Sequence, residues 1–422
     1  MPILQVLTDV NTVTDFVSQF RHFSIKHKKM RPAPTTIFAG ILGKGCNIGI
    51  NKMANISVGV SEDVLSNTVN WFFSLKNLQA ANNKVIQLSS KLALAEHYRH
   101  TLQQLHTGSD GSKINVGVDC ILASYSFKYF GKGKGVTVYT YVDERQLLFH
   151  STVMTSSERE AAYVIDGLLQ NEVVKSDIHS TDTHGFTETV FAATHFINTA
   201  FAPRIKQIGK QKIYSFATKK SYAKKGYKIL PSRTINTKLI KTYWEDILRF
   251  MATIKLKHSS ASQLFKRLSS YAKDNPLYKA IKEFGRIIKS IFILTYFDDV
   301  ELRQRVEKQL NKVELSNKFS RAVFFDNNQE FKQGIKEEQE ISVACKMLIQ
   351  NAIILWNYLQ LSQLLINTTD PAERKRMLEG IKKGSMIAWK HVNLQGEYDF
   401  TRYLAANSEV FDMKSILALK MV

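Results

Sequence analysis

Cysteine is almost absent: 422 residues carry three, Cys46, Cys120 and Cys345. They lie far apart with no CxxC spacing, which excludes a disulfide framework and a cysteine-based zinc module and points to a reducing compartment. Long clean hydrophobic runs are missing too. The two most apolar windows, IIKSIFILTYF and MLIQNAIILWNYLQL, are broken by Lys289, Gln350, Asn351 and Asn357. Neither reaches the roughly 20 apolar residues of a membrane span. The start, MPILQVLTDV, has no basic n-region and no cleavage site, so no signal peptide is expected. There is no internal repeat and no low-complexity tract. These absences lead to the expectation of a soluble, cytoplasmic protein.

What is present is apolar and basic. A hydrophobic fraction of 44% with 25 phenylalanines excludes wholesale disorder. The formal charge of +21 costs self-repulsion, so a polyanionic partner is expected, nucleic acid ahead of an anionic membrane. The sharpest concentration is FAPRIKQIGKQKIYSFATKKSYAKKGYK, which has no acid and interleaves tyrosines with lysines. Arg204, Lys219, Lys220, Lys224 and Lys225 are its candidate phosphate contacts, and the aromatics could stack on unpaired bases. A solvated loop is the plainer alternative.

Periodicity divides the chain. Residues 1 to about 105 are mainly helical, with apolar steps of three and four through SEDVLSNTVNWFFSLKNLQAANNKVIQLSSKLALAEHY. A basic run, FRHFSIKHKKMRPAP, precedes that stretch. From about 107 the pattern turns to strands: SKINVGVDCI, GVTVYTYVD and QLLFHSTVM, joined by the turns GKGKG and DERQ. GKGKG joins two strands rather than opening a helix, so it reads as a hairpin turn and not a phosphate loop. SEREAAYVIDGLLQ is a helix with Ser157 as its expected N-cap. A VVKSDI strand, the helix TVFAATHFINTAF and a FAPRIKQI strand follow. Three strands, helix, strand, helix, strand is the order of an RNase H-like core. The fold class expected is therefore α+β, with a helical amino-terminal region and an all-helical insertion over 233–300. Residues 301–365 would complete the core, and 366–422 form a carboxy-terminal tail.

The stretch HSTDTHGFTE, residues 179–188, lies between strand and helix. Its candidates are a zinc site (His179, Asp182, His184), a helix-capping turn, or one corner of a magnesium-binding carboxylate cluster. Two-metal phosphoryl transfer needs carboxylates from separate elements, because magnesium prefers hard oxygen ligands. Asp110 at the start of the first strand, Asp182 at the end of the fourth and Glu314 on a late helix fit that need. Val306, Leu310 and Glu314 are spaced by four, which predicts that Glu314 shares the inward face. Taken singly, Asp110 also reads as a turn residue before glycine, and Glu314 as an interhelical salt-bridge partner.

Here the residues resemble a known family. HSTDTHGFTETVFAATHF, FAPRI, YWEDILRFMATIK, RLSSYAKDN, LNKVELSNKFSRAVFF, AIILWNYLQL and WKHVNLQGEYDF are similar to the catalytic half of Tn-three family replicative transposases (TnpA). FAGILGKGCNIGINKMA resembles the glycine-rich segment ahead of it. The resemblance implies a DDE-type enzyme with an RNase H-like core, catalytic and metal-binding acids Asp110, Asp182 and Glu314, and two Mg²⁺ ions replaceable by Mn²⁺. It implies 3′-end cleavage and strand transfer on double-stranded DNA (terminal inverted repeats and target), a homodimer on paired ends, and a bacterial, nucleoid-associated location. Lys312 and Arg321 join the DNA-binding set. This sequence departs from the family pattern in TGSDG for SSSDG, in LNKVE for LNKGE and at His184. Family members are about twice as long, so a truncated form is expected. A catalytically silent DNA-binding fragment and a nuclease without strand transfer are the alternatives.

Overall fold

The apolar stretch interrupted by Gln350, Asn351 and Asn357 is a 32-residue helix, Lys336–Asn367. The structure is a computed structural model that describes residues 1–24, 31–158, 160–270, 275–401 and 411–420, with the side chain of His184 outside the description. Among the described residues no helix is long and apolar enough to cross a membrane. The chain divides into two compact units. The first is Met1–Leu102, Gly111–Glu158 and Lys312–Val422; the second is Gln103–Asp110 and Arg159–Asn311.

In the first unit the Lys336–Asn367 helix is buried on nearly every side between Ser342 and Leu359, as expected for a helix at the centre of a core. The helices Ile3–Thr14, Pro34–Gly45 and Leu75–Ser89 pack around it. Gly45 permits one of these approaches: a Cβ there would lie 2.9 Å from the backbone nitrogen of Lys346. The polar residues that break the apolar run tie the helix to its neighbours. Asn351 donates to Asn82 Oδ1 (2.8 Å) and the Leu148 carbonyl (2.7 Å), and accepts from the Leu148 N–H (3.0 Å). Trp356 donates to Asp9 (2.9 Å), and Asn357 donates to the Met386 carbonyl (3.0 Å). Each bond satisfies a group that burial would otherwise penalise. Met386, Ile387, Tyr398 and Phe400 are buried and belong to this unit.

Five strands matter for the site: β1 (His106–Val116), β2 (Lys134–Asp143), β3 (Leu148–Thr155), β4 (Ile178–Thr181) and β5 (Ala200–Phe201). Strand β1 gives its second half to the first unit, where β2 lies between it and the antiparallel β3. Its first half belongs to the second unit, where β4 lies between it and β5, all parallel. The chain is thus α+β.

Several boundaries differ from the sequence reading. β1 starts at His106, so Asp110 lies inside the strand rather than at its start. Ser157 is not the cap of the next helix, Ala161–Gln170; its hydroxyl meets that of Thr155 (3.1 Å). β4 begins only at Ile178 because Asn171 accepts from the Val174 N–H (2.8 Å) and turns the chain first. β5 spans only two residues, yet backbone bonds continue past its end. Ala200, Ala202 and Arg204 donate to the carbonyls of Asp177, His179 and Thr181 (2.8, 2.8 and 2.9 Å). Pro203 falls between donors, where its missing N–H costs nothing.

Among the described residues from 237 to 298 the second unit forms the helices Thr237–Thr242, Trp244–Lys255, Ala261–Ser270 and Pro276–Asp298. The last starts with Pro276 behind Asn275, whose side chain accepts from the Tyr278 N–H (3.2 Å). Buried Asp166 reaches across to cap the Ala261–Ser270 helix, accepting from Ala261 (2.6 Å) and Ser262 (3.1 Å). Arg233–Thr234 pairs in parallel with Tyr214–Ser215 just ahead of these helices.

Candidate active site

The parallel register pairs His106 with Ile178, Thr107 with His179, Gly108 with Ser180 and Ser109 with Thr181. The next residues along the chain are Asp110 and Asp182. Asp110 continues β1, whereas β4 ends at Thr181 and Asp182 is the first residue past it; both aspartates are half-buried. They are 72 positions apart in sequence and both lie in the second unit. Beyond Asp182 the chain makes a 3₁₀ turn, Thr183–Gly185. Gly185 folds back on Thr181, where an added Cβ would stand 3.0 Å from the Thr181 Cβ and closer still to its hydroxyl. No larger residue fits that exit from the strand.

Alternation places His106 and Ser180 on one face, and Thr107, Ser109 and His179 on the other. On the first face Ser180 donates to the Ala202 carbonyl (2.7 Å), leaving His106 Nε2 to donate to the Ser180 oxygen (2.7 Å). On the second, His179 meets Thr107 at Nδ1 and Ser109 at Nε2, each at 2.8 Å, and Thr107 also meets Ser176 (2.6 Å). Burial pushes the His179 imidazole down to about 3, so it is neutral at ordinary pH. The zinc alternative therefore fails at His179, both of whose ring nitrogens are bonded. The His184 side chain lies outside the described residues, and among those described no group of three or more His, Cys, Asp or Glu is placed to hold a metal.

Sequence reasoning missed the pair that holds the segment after Asp182. Lys289, on the Pro276–Asp298 helix, bonds Glu188 (3.2 Å) and lies 4.3 Å from the centroid of the Phe186 ring. Burial opposes ionisation of Glu188, but Lys289 beside it, a backbone N–H and Lys282 together hold the carboxyl below its ordinary pKa. The lysine that interrupts the apolar window was the signal in the sequence.

Glu314 lies on the helix Val300–Val323 and is exposed, not on the inward face. Its neighbour Val313 is buried, with Val306, Leu310 and Ser316. Steps of four overshoot a 3.6-residue turn by about 40° each, and two steps from Val306 carry Glu314 off the stripe. In the second unit, Lys219, Lys220 and Lys224 are exposed on the short helix Lys219–Lys224, followed by exposed Lys225. Arg204 continues the β5 ladder beside Thr181, and its guanidinium approaches Glu307 (3.5 Å). In the first unit, Lys312 donates to the Glu144 carbonyl (2.7 Å), while Arg321 is exposed.

A family model described as the Tn3 transposase DDE domain matches residues 5–398. The chain is 32% identical over 426 residues to the transposase for transposon Tn1546 of Enterococcus faecium, covering 99% of this chain and 41% of that protein. It is 32% identical over 400 residues to the transposase for transposon Tn501 of Pseudomonas aeruginosa, covering 94% and 39%. To the transposase for transposon gamma-delta of Escherichia coli (strain K12) it is 25% identical over 406 residues, covering 94% and 39%. The chain thus spans about two fifths of the length of these relatives. Since that family model matches residues 5–398, nearly the whole chain, the chain belongs to the Tn3 transposase DDE domain family.

Proposed function

We propose that this chain is the catalytic part of a DDE-type transposase that cleaves transposon DNA at its 3′ ends and joins them to target DNA, in the replicative, cointegrate-forming mode. The observation that carries the reading is the parallel register of β1 and β4, whose last pair, Ser109 with Thr181, comes one residue before Asp110 and Asp182. The order of elements, three strands, helix, strand, helix, strand, supports an RNase H-like core.

The donor chemistry fits magnesium. Two carboxylates brought together by that register would offer hard oxygens and repel each other, a combination that a small divalent cation relieves. Asp110 and Asp182 would hold one ion, and Glu314 is the proposed third acid, with Mn²⁺ as a substitute. When bound, the metal supplies Lewis-acid activation at the phosphodiester. The chain's own residues do the positioning. Arg204, fixed by its backbone bond to Thr181, and Lys219, Lys220, Lys224 and Lys225 bind phosphates of the DNA. Lys312 and Arg321 complete the set. Terminal inverted repeats, target DNA and a second copy of the chain on paired ends are the proposed partners, with the nucleoid as the place of action.

The test is strand transfer with pre-cleaved oligonucleotide ends and a plasmid target, in Mg²⁺, for the wild type and for Asp110→Asn, Asp182→Asn and Glu314→Gln. The expected result is joined product from the wild type, lost by roughly 10³-fold or more in each variant, since several kcal/mol of charge stabilisation is removed. Equal joining by the Asp182→Asn variant would sink the assignment.

A further inference from the structure

The excursion between β1 and β2 takes no part in the site described above, yet it is built with two very different sides. Its inner side is anchored. Cys120, Leu122 and Ala123 pack against the buried cluster that includes Val138 and Phe331. Ser124 and Tyr125 pair antiparallel with Gly135 and Lys134. Phe130 is buried against Gly135, where any Cβ would collide with its ring and lie 2.5 Å from the Ile114 carbonyl oxygen.

The outer side leaves aromatics in water. Tyr125, Phe127 and Tyr129 are 61%, 72% and 46% exposed, all within five residues. Single exposed apolar residues are ordinary, but a cluster on a fixed mount marks a surface that meets a partner. Lys128, Lys132 and Lys134 surround them and are exposed, and no acid occurs from 120 to 142. The Lys128 ammonium lies 4.9 Å from the centroid of the Tyr129 ring, so charge and flat π surface are offered together. The three lysines at its rim and the chain's net charge of +21 make a polyanion the partner that this patch matches. Flat rings among ammonium groups fit bases and phosphates, and base faces are open only where a strand is unpaired.

We propose that this excursion is a binding surface for single-stranded or locally unpaired DNA. Bases stack on Tyr125, Phe127 and Tyr129 while Lys128, Lys132 and Lys134 contact phosphates. The proposal rests on the DNA reading above and adds a second, separate contact surface to it.

The test uses the full chain with a fluorescein-labelled oligothymidine and a labelled duplex of the same length. Tyr125→Ala, Phe127→Ala and Tyr129→Ala are combined in one variant, with melting curves as a check on folding. Oligothymidine binding should weaken about tenfold or more and duplex binding by no more than about twofold, because stacking is the contact removed. The exchange Tyr125→Phe, Phe127→Tyr and Tyr129→Phe should keep wild-type binding. Replacing the three lysines with glutamine should weaken both probes and reduce the single-strand salt slope by about two. Unchanged oligothymidine binding in the alanine variant overturns the proposal. So does loss of self-association in sedimentation with DNA binding intact, which would make the patch an interface between copies. A wild type that binds duplex but not oligothymidine defeats this inference alone, whereas one that binds neither defeats the DNA reading as well.

Discussion

Nε2 of His179 lies 2.8 Å from Oγ of Ser109, the residue immediately before Asp110. The bond crosses from β4 to β1 and helps fix the register of the two strands that lead to Asp110 and Asp182. A slip of one residue would turn one aspartate to the other face. The catalytic geometry proposed here thus leans on a buried polar contact that takes no part in the chemistry.

Replacing His179 with alanine should destabilise the fold by about 2–4 kcal/mol, from a lost buried ring and the bonds to Thr107 and Ser109. The pH dependence has a definite sign. Burial pushes His179 to about 3 and His150 to about 4, both below the ordinary 6.5. The unfolded chain therefore binds more protons than the folded one between those values. Stability from this source is fully present above about 6.5 and is lost as pH falls toward about 4 and then about 3. Urea melts across that window check it: His179→Gln should show a shallower loss than the wild type, and an identical slope would show that the imidazole titrates freely in the folded state.

The basic helix gives a second expectation. Replacing Lys219, Lys220, Lys224 and Lys225 with glutamine should leave melting unchanged, because all four are exposed. If each contacts a phosphate, the slope of log affinity against log salt on duplex DNA should fall by roughly three to four. A slope that does not move would return the segment to a solvated surface.

A third concerns how the segment after Asp182 is held. The Pro276–Asp298 helix crosses the helix Glu188–Phe196 at Gly285, where an added Cβ would lie 2.6 Å from the Glu188 carbonyl carbon. That obstacle is backbone and cannot rotate away. Gly285→Ala should therefore force the helices apart, cost about 1–3 kcal/mol, and weaken the Lys289–Glu188 bond. Thermal melting reads the first effect. A substitution as mild as alanine elsewhere on an exposed helix face would raise stability, so a rise here would disprove the close crossing.

The sequence showed some of this and hid the rest for physical reasons. Helices with long apolar periods were legible, and so was the alternation through GVTVYTYVD. The first half of β1 was not, because His106, Thr107 and Ser109 are polar and gain their place in a strand only through partners some 70 residues away. The exposure of Glu314 was misread from four-residue steps, which drift round a helix faster than they seem to on paper. The two aspartates could be named from the sequence, but the pairing of the strands that lead to them is a matter of register, which no local pattern carries. Nor does composition reveal that Lys346 is buried.

Lys346 carries the last expectation. It is 2% exposed in the middle of the Lys336–Asn367 helix, and its Nζ has no hydrogen-bond partner among the described residues. The Phe324 ring, 5.2 Å from Nζ to the centroid, is its recorded compensation. Burial lowers its pKa from 10.5 to about 7. Between those values the unfolded chain holds a proton that the folded chain has given up, so stability rises with pH from about 7 to about 10.5. Methionine has a similar volume and no amine. Lys346→Met should therefore stabilise the protein by roughly 1–3 kcal/mol at pH 7, by removing an unsatisfied buried donor. The advantage should shrink as pH rises from about 7 toward 10.5, because folding then costs the wild type less for the proton it gives up. Urea midpoints of both proteins across that range decide it. A variant less stable than the wild type at pH 7 would mean that the ammonium makes a favourable contact, and burial would then not be the force acting on this lysine.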